Sequence, residues 1–445
     1  MVQAPSKADN RAGFVIGASC PGCGGEVELK QDFFVTECRH CGSALRLVMS
    51  PIPAAFFAKP RIAATQARAS LDRHLRENQF PLTRSSCQIE AILFPYWKLD
   101  LIAVKVRTVV EEFTHGEYVH GSYQEETTSQ SRRTVALTPI SVTAAAGCVD
   151  QCFPATIGLR ADYLKLHPFD PGLIPDSFTV EPVRTEVSAA MDRAKSSVRT
   201  LDAVAGIAGA DQHRTEMVGV RASIVYVPFF VVSDLSSTPN AYVVDAVSGR
   251  VVSSGAAPAD ADTESGRTQP TGQIGLELHR CCSCGEDLPS RPSLLYFCRN
   301  CGRTTLLGDA AGAMIRCTPH TEQDLLVPFW KIGNQVIPAF RAGNAEAIFR
   351  LTMRAGGAAG RLNFDGSIGP DSRVSPANVT RQEAQATGAI AEFRNELDRN
   401  PKAIFSAPEP DDSAGELLLI AFHERDYFWV DSILEAISFE RALLK

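Results

Sequence analysis

Four Cys-x-x-Cys pairs constrain this chain more than any other feature. Cys20, Cys23, Cys38 and Cys41 lie in CPGCGGEVELKQDFFVTECRHC, with fourteen residues between the pairs. Cys281, Cys284, Cys298 and Cys301 lie in CCSCGEDLPSRPSLLYFCRNC, with thirteen. Each pair is a knuckle that aims two thiolates at one point. The residues between are enough to run out and back as a hairpin, which sets the second knuckle opposite the first. Four thiolates at tetrahedral corners suit Zn²⁺, which imposes no geometry of its own. Iron in a rubredoxin-like site uses the same knuckles, but the short hairpin between them favours a zinc ribbon. With four cysteines and no position for water, each site is closed, the pattern of a structural rather than a catalytic metal. Glycine follows the second cysteine of every knuckle (Gly24, Gly42, Gly285, Gly302). A positive φ there lets the backbone turn its amides toward sulfur.

The remaining cysteines bear on compartment. The chain has 13 cysteines, and its start, MVQAPSKADNRAG, lacks the apolar core of a signal peptide. We therefore expect a cytoplasmic protein, where paired cysteines bind metal more often than they form disulfides. The longest apolar runs, such as SIVYVPFFVV at 223–232, are about half the ~20 residues of a spanning helix, so no membrane span is expected. Cys87, Cys148, Cys152, Cys282 and Cys317 fall outside both ligand sets. They read as small buried hydrophobes, with a redox or assembly role as the alternative.

Behind each ribbon a second motif repeats. Residues 92–100 read ILFPYWKLD, residues 325–333 read LLVPFWKIG, and YVPFFVVSD at 226–234 is a weaker third copy. Because proline is poorly tolerated in a central strand, these segments read as strands with an edge or bulge at Pro95, Pro228 and Pro328. Their aliphatic flanks favour burial over an aromatic binding surface. The expected fold is α+β: two four-cysteine zinc ribbons, each followed by a mainly antiparallel β-sheet module with packed helices. At 445 residues the chain exceeds one ordinary core. Its expected divisions are a tail at 1–12, ribbon one at 13–50, an α+β domain at 51–253, a linker at 254–273, ribbon two at 274–308, and a smaller α+β domain at 309–445.

Residues 61–77 place Ala64, Ala67, Leu71 and Leu75 on one helix face and Arg61, Arg68, Arg73 and Arg76 on the other. Residues 186–205 carry an apolar seam through Val187, Met191, Ala194, Val198, Leu201 and Ala205, which predicts a second helix. The polar stretch 113–133, with His115 and His120, reads as a long hairpin or loop. RAGGAAGR at 354–361 lacks the form of a phosphate loop and reads as a turn. Residues 366–379 read as loop, and the C-terminus as two short strands and a closing helix.

The CPGCGG…CRHCG ribbon, the aromatic proline strand and the hairpin YVVDAVSGRVVSSG together resemble bacterial proteins with zinc ribbons of the transcription-factor-IIB type. Some of these are labelled relatives of the primosomal helicase N′ for that ribbon. Residues 152–195 are similar to the middle region of the same family, and the likeness covers residues 14–255. It implies Cys20, Cys23, Cys38 and Cys41 as ligands and nothing further. Without GxxxxGK[ST], ATP-driven unwinding does not transfer.

Charge weighs against a nucleic-acid-binding face, since the chain's formal net charge is −7. Residues 13–49 hold three Lys/Arg against four Asp/Glu, and residues 274–307 hold four against three. A Zn²⁺ on four thiolates adds −2 to each, leaving both ribbons anionic where phosphate binding needs clustered cations. Neither GxSxG nor HExxH occurs. The expected role is thus a non-enzymatic scaffold or adaptor with two structural zinc ions and protein partners. Nucleic-acid binding, through the arginine face of 61–77, is the alternative.

Overall fold

The computed structural model describes residues 15–30, 35–49, 53–78, 87–119, 122–147, 152–158, 164–204, 215–234, 241–256, 274–369, 371–400, 402–409 and 415–444. The tail at 1–12 and the segment 257–273 lie outside the described residues, as do Cys148 and His120. The chain divides into two compact units, Met1–Asp100 with Ser141–Ala194 and Arg221–Gly308, and Leu101–Ile140 with Lys195–Val220 and Asp309–Lys445. Both four-cysteine segments fall in the first unit.

The first unit opens with two hairpins, β1 (Val15–Ser19) with β2 (Glu26–Lys30) and β3 (Val35–Glu37) with β4 (Ala44–Met49). β5 (Ala54–Ala58), α1 (Ala64–Glu77), β6 (Cys87–Val119), β7 (Ser122–Ala145), β8 (Lys165–Pro168) and β9 (Phe178–Val180) follow. Next come α2 (Val187–Val204), β10 (Thr215–Asp234), β11 (Ala241–Asp245), β12 (Val251–Gly255), β13 (Ile274–Leu278), β14 (Leu295–Phe297) and β15 (Thr304–Leu306). One sheet runs β12-β11-β10-β5-β8-β1-β2, with β6 joined to β10, β7 and β9; a smaller one runs β13-β4-β3. Phe94 stacks on Phe153 at 4.1 Å between ring centres, and both belong to a core with Phe56, Tyr96 and Phe229. The expected helix at 61–77 forms, and Ala67, Leu71 and Leu75 bury against Phe230, Tyr242 and Val244.

The second unit holds β16 (Met314–Cys317), β17 (Leu325–Ile332), β18 (Gln335–Pro338), α3 (Ala345–Ala359), β19 (Arg373–Val374) and α4 (Arg381–Arg399). β20 (Glu416–Arg425), β21 (Phe428–Asp431) and β22 (Ser438–Glu440) complete it. Its sheet runs β18-β17-β20-β21-β22, with β16 parallel to β20 and β19 parallel to β17. The outer parts of β6 and β7 form the expected long hairpin, and Val104 and Val218 share a cluster with Ala386, Ile390 and Phe393 of α4. The stretch at 354–361 is not a turn, because α3 runs through Gly356 and Gly357 to Ala359. Asn344 caps it by accepting from Ala347 N at 3.2 Å. Ile348, Leu351, Ala355 and Ala358 supply a buried face that outweighs the glycines. At the C-terminus a strand and a 3₁₀ turn stand where a helix was expected.

The proline strands are buried, as expected, but they are not edges. β17 lies between β18 and β20, and β10 between β11 and β5. Each proline sits one step beyond the end of its partner strand, where only its carbonyl is needed. Ala146 N donates to Pro95 O at 2.9 Å, Ala246 N to Pro228 O at 3.0 Å, and Ala339 N to Pro328 O at 2.9 Å. The missing proline N–H therefore costs no ladder bond. Each of these alanines then accepts two amides through its own carbonyl: from Arg184 and Thr185, from Arg61 and Ile62, and from Asn378 and Val379. In all three cases a helix (α2, α1, α4) starts two residues later. The motif thus links a strand end to a helix start three times.

The correspondence extends further. Phe57 in β5 and Cys317 in β16 each lie sixteen residues after the last cysteine of a four-cysteine set. Phe57 pairs in parallel with Tyr226 of β10, and Cys317 with Leu419 of β20. Buried Asp245 accepts from Val247 N and Ser248 N, and buried Asp431 accepts from Leu434 N and Ile437 N. One difference between the copies lies at a hairpin: Gly333 and Asn334 alone join β17 to β18, where β6 and β7 carry residues 101–140.

Ala339 has no exposed surface. Ala339→Leu is expected to cost about 1–3 kcal/mol by overpacking, read as a lower urea midpoint at unchanged slope. An unchanged midpoint would mean that this corner has room to spare.

Candidate metal centres

All four knuckles fold alike. The first cysteine's N–H donates to the carbonyl five residues on, and the glycine N–H returns to that cysteine's carbonyl. The pairs are Cys20–Gly25 and Gly24–Cys20, Cys38–Ser43 and Gly42–Cys38, Cys281–Glu286 and Gly285–Cys281, and Cys298–Arg303 and Gly302–Cys298, all at 2.8–3.0 Å. The glycines take φ of 73°, 73°, 77° and 69°, as the sequence required. Amides turn to sulfur: Gly22 N donates to Cys20 Sγ at 3.3 Å and Gly25 N to Cys23 Sγ at 3.4 Å.

The fold brings each set of four together. Cys20 Sγ lies 3.8 Å from Cys41 Sγ, and Cys23 Sγ 3.8 Å from Cys38 Sγ. In the second set Cys281 and Cys301 are 3.6 Å apart, and Cys284 and Cys298 3.4 Å. Within each set all four sulfurs lie within 4.8 Å of one another. A tetrahedron with metal–sulfur bonds of about 2.3 Å has edges of about 3.8 Å, so the residues present fit a four-coordinate thiophilic ion. In every knuckle the first cysteine is buried and the second exposed. No described cysteine forms a disulfide.

Electrostatics points the same way. The Ser43 hydroxyl and amide pull the Cys41 thiol down to about 6. The Gly25 amide favours ionised Cys23, yet its thiol is pushed up to about 12, by Cys41 first among the opposing causes and then by burial. In the second set the Ser283 and Cys284 amides bring Cys281 down to about 6, while Cys301 rises to about 12: its bond from the Arg303 amide is outweighed by burial and then by Cys281. Crowded thiolates repel, and a shared divalent cation removes that conflict. Such a cation would complete each tetrahedron and leave no coordination position for substrate.

The other sequence candidates separate. Cys152 is buried and its thiol is pushed up to about 11 by burial, and Cys87 is half-buried beside Ile89 and Ala91. Cys282 is exposed in the third knuckle and is not one of the clustered four. Arg61, Arg68, Arg73 and Arg76 are exposed. His115 lies on β6, and its side chain is outside the described residues.

Two groupings escaped the sequence reading. Cys317 Sγ lies 3.6 Å from His320 Nδ1, and His320 Nε2 lies 3.0 Å from Ser372 Oγ. This is a poor nucleophile: Cys317 is buried, donates to Thr318 O at 3.1 Å, and is pushed up to about 12 by burial. Its counterpart in the other copy is Phe57, so it fills a core position. The second grouping is a cleft of about 730 Å³ whose lining includes Ser19, Glu26, Leu47, Lys59, His167 and Asp170. The His167 ring sits 3.1 Å from Gly17 O through Nδ1, and burial, then Lys59, lowers its pKa. Such distant residues carry no shared sequence signal.

Among the described residues no helix is long and apolar enough to cross a membrane. No protein-family model, curated protein or solved structure matches the chain.

Proposed function

We propose that this protein is a non-enzymatic scaffold of the cytoplasm, in which two structural zinc ions hold two closed ribbons and the attached sheets present surfaces to protein partners. One observation carries the reading: among the described residues each group of candidate ligands consists of four cysteine sulfurs, within 4.8 Å of one another. Closed tetrathiolate sites support fold rather than turnover. The resemblance to bacterial transcription-factor-IIB-type ribbon proteins agrees with this and assigns no reaction. Zinc is favoured over iron by the short connection between knuckles.

Native mass spectrometry of the full chain is expected to find two zinc ions, with no visible absorption of an iron tetrathiolate. Fewer than two ions would sink the two-site reading. Affinity capture from the native cell, repeated after nuclease treatment, tests the role. A stoichiometric protein that survives nuclease supports the scaffold. Recovery lost with nuclease would transfer the assignment to nucleic-acid binding, for which the exposed face of Arg61, Arg68, Arg73 and Arg76 is the candidate surface.

A further inference from the structure

We propose that the two metal sites hold and release their ions as a coupled pair, because each four-cysteine segment covers the cysteines of the other. The inference rests on the reading of both sets as zinc sites.

β13, which leads into the third knuckle, adds to β4 of the first segment. The register is antiparallel, from Gly275 opposite Val48 to Leu278 opposite Leu45, and His279 N donates to Ala44 O at 2.8 Å. This places Leu276 and Leu278 against a cluster that contains Cys20, Cys38, Leu45 and Leu47. A Cβ on Gly22, inside the first knuckle, would lie 3.6 Å from Leu278 Cδ2 and 3.7 Å from Cys20 Sγ. Leu278 therefore roofs the first site.

The exchange is reciprocal. Val35, on β3 of the first segment, is 1% exposed. It packs with Cys281, Leu288, Tyr296 and Cys298 of the second segment. Polar contacts fasten the joint on both sides: Arg46 Nη2 to Glu277 Oε2 at 2.7 Å, and Ser290 Oγ to Glu37 Oε2 at 3.3 Å. Between them His279, fully buried, meets the Tyr296 ring edge-on at 4.2 Å.

The energetic consequence follows from what a structural metal does. Its binding free energy is folding free energy for the knuckles it joins. An apolar cover also excludes water and controls access to the thiolates. Release of one ion frees the strand that carries the other site's cover, so the second ion loses both. Linkage makes the effect equal in both directions.

The test uses the full-length chain and Zn²⁺ alone, with a chelator in competition. Cys281→Ser/Cys284→Ser removes the second site, and Cys20→Ser/Cys23→Ser the first. In each, the remaining site is expected to bind Zn²⁺ at least tenfold more weakly than in the parent chain, by the same factor in both. Val35→Ser keeps all eight thiolates, so it tests the same contact should the ligand variants not fold. Its second-site ion is expected to pass to the chelator at least tenfold more readily. A site that keeps its parent affinity when the other is deleted would overturn the coupling, as would unchanged transfer from Val35→Ser. A parent chain with fewer than two ions would instead overturn the underlying metal reading.

Discussion

Cys38→Ser is expected to strip the first segment of its metal and to loosen the four strands around it. Cys38 is fully buried, and its sulfur is one corner of the tetrahedron, 3.8 Å from Cys23 Sγ. In isolated zinc-finger peptides a structural Zn²⁺ contributes about 10–16 kcal/mol at neutral pH. Whole domains are stable by only about 5–15 kcal/mol. β1–β4 are short, three to six residues each, and their hairpins turn at the knuckles the metal would join. β1 also borders β8, and β4 borders β13, so the disturbance should reach those strands. The measurement is zinc per chain together with amide exchange across residues 15–49. At least one ion should be lost, and protection should fall in β1–β4. Cys282→Ser is the control. It changes an exposed thiol outside the clustered four and should keep both ions, with stability within about 0.5 kcal/mol of the parent. A Cys38→Ser chain with two ions would remove Cys38 from the metal site. Acid should act like the substitution, since protons compete with the ion for thiolates and affinity falls as pH falls.

The two four-cysteine clusters were legible in the sequence because their chemistry is local. A knuckle is a six-residue turn, its glycine is required by φ, and four such turns announce two tetrahedra. The helix at 64–77 was legible for a similar reason, since Ala67, Leu71 and Leu75 step at the helical period. What stayed hidden depends on partners far along the chain. Nothing in IGLEL indicates that Leu278 pairs with Leu45, and nothing in VTE that Val35 is buried with Cys298. The proline strands show the boundary most clearly. Pro328 implied an edge because proline lacks a donor, yet β18 ends at Pro338 and no donor is needed there. α3 was missed for the opposite reason, as Gly356 and Gly357 obscured a good apolar face.

Trp330→Ala is expected to produce the largest loss in the second unit while leaving both metals in place. Trp330 is fully buried on β17, and its Nε1–H donates to Val379 O at 2.8 Å. Val379 directly precedes Thr380, the cap of α4. Truncation removes the packed indole, about 3–5 kcal/mol for a core aromatic, and withdraws the donor from a carbonyl at the entry to a 19-residue helix. Trp330→Phe separates the two contributions, because it keeps a ring and loses the N–H. It should cost less, about 1–3 kcal/mol when the acceptor is left unsatisfied. The counterpart Trp97 donates to Thr185 O at 2.7 Å, before α2, and should rank its substitutions in the same order. Denaturant unfolding reads the stabilities, and native mass reads the ions. Two zinc ions on a destabilised Trp330→Ala chain would mean that the metal sites, all in the first unit, keep their ions when the second unit weakens. Loss of an ion there would mean that the second unit's packing sustains the sites, and that the metals report on the fold as a whole.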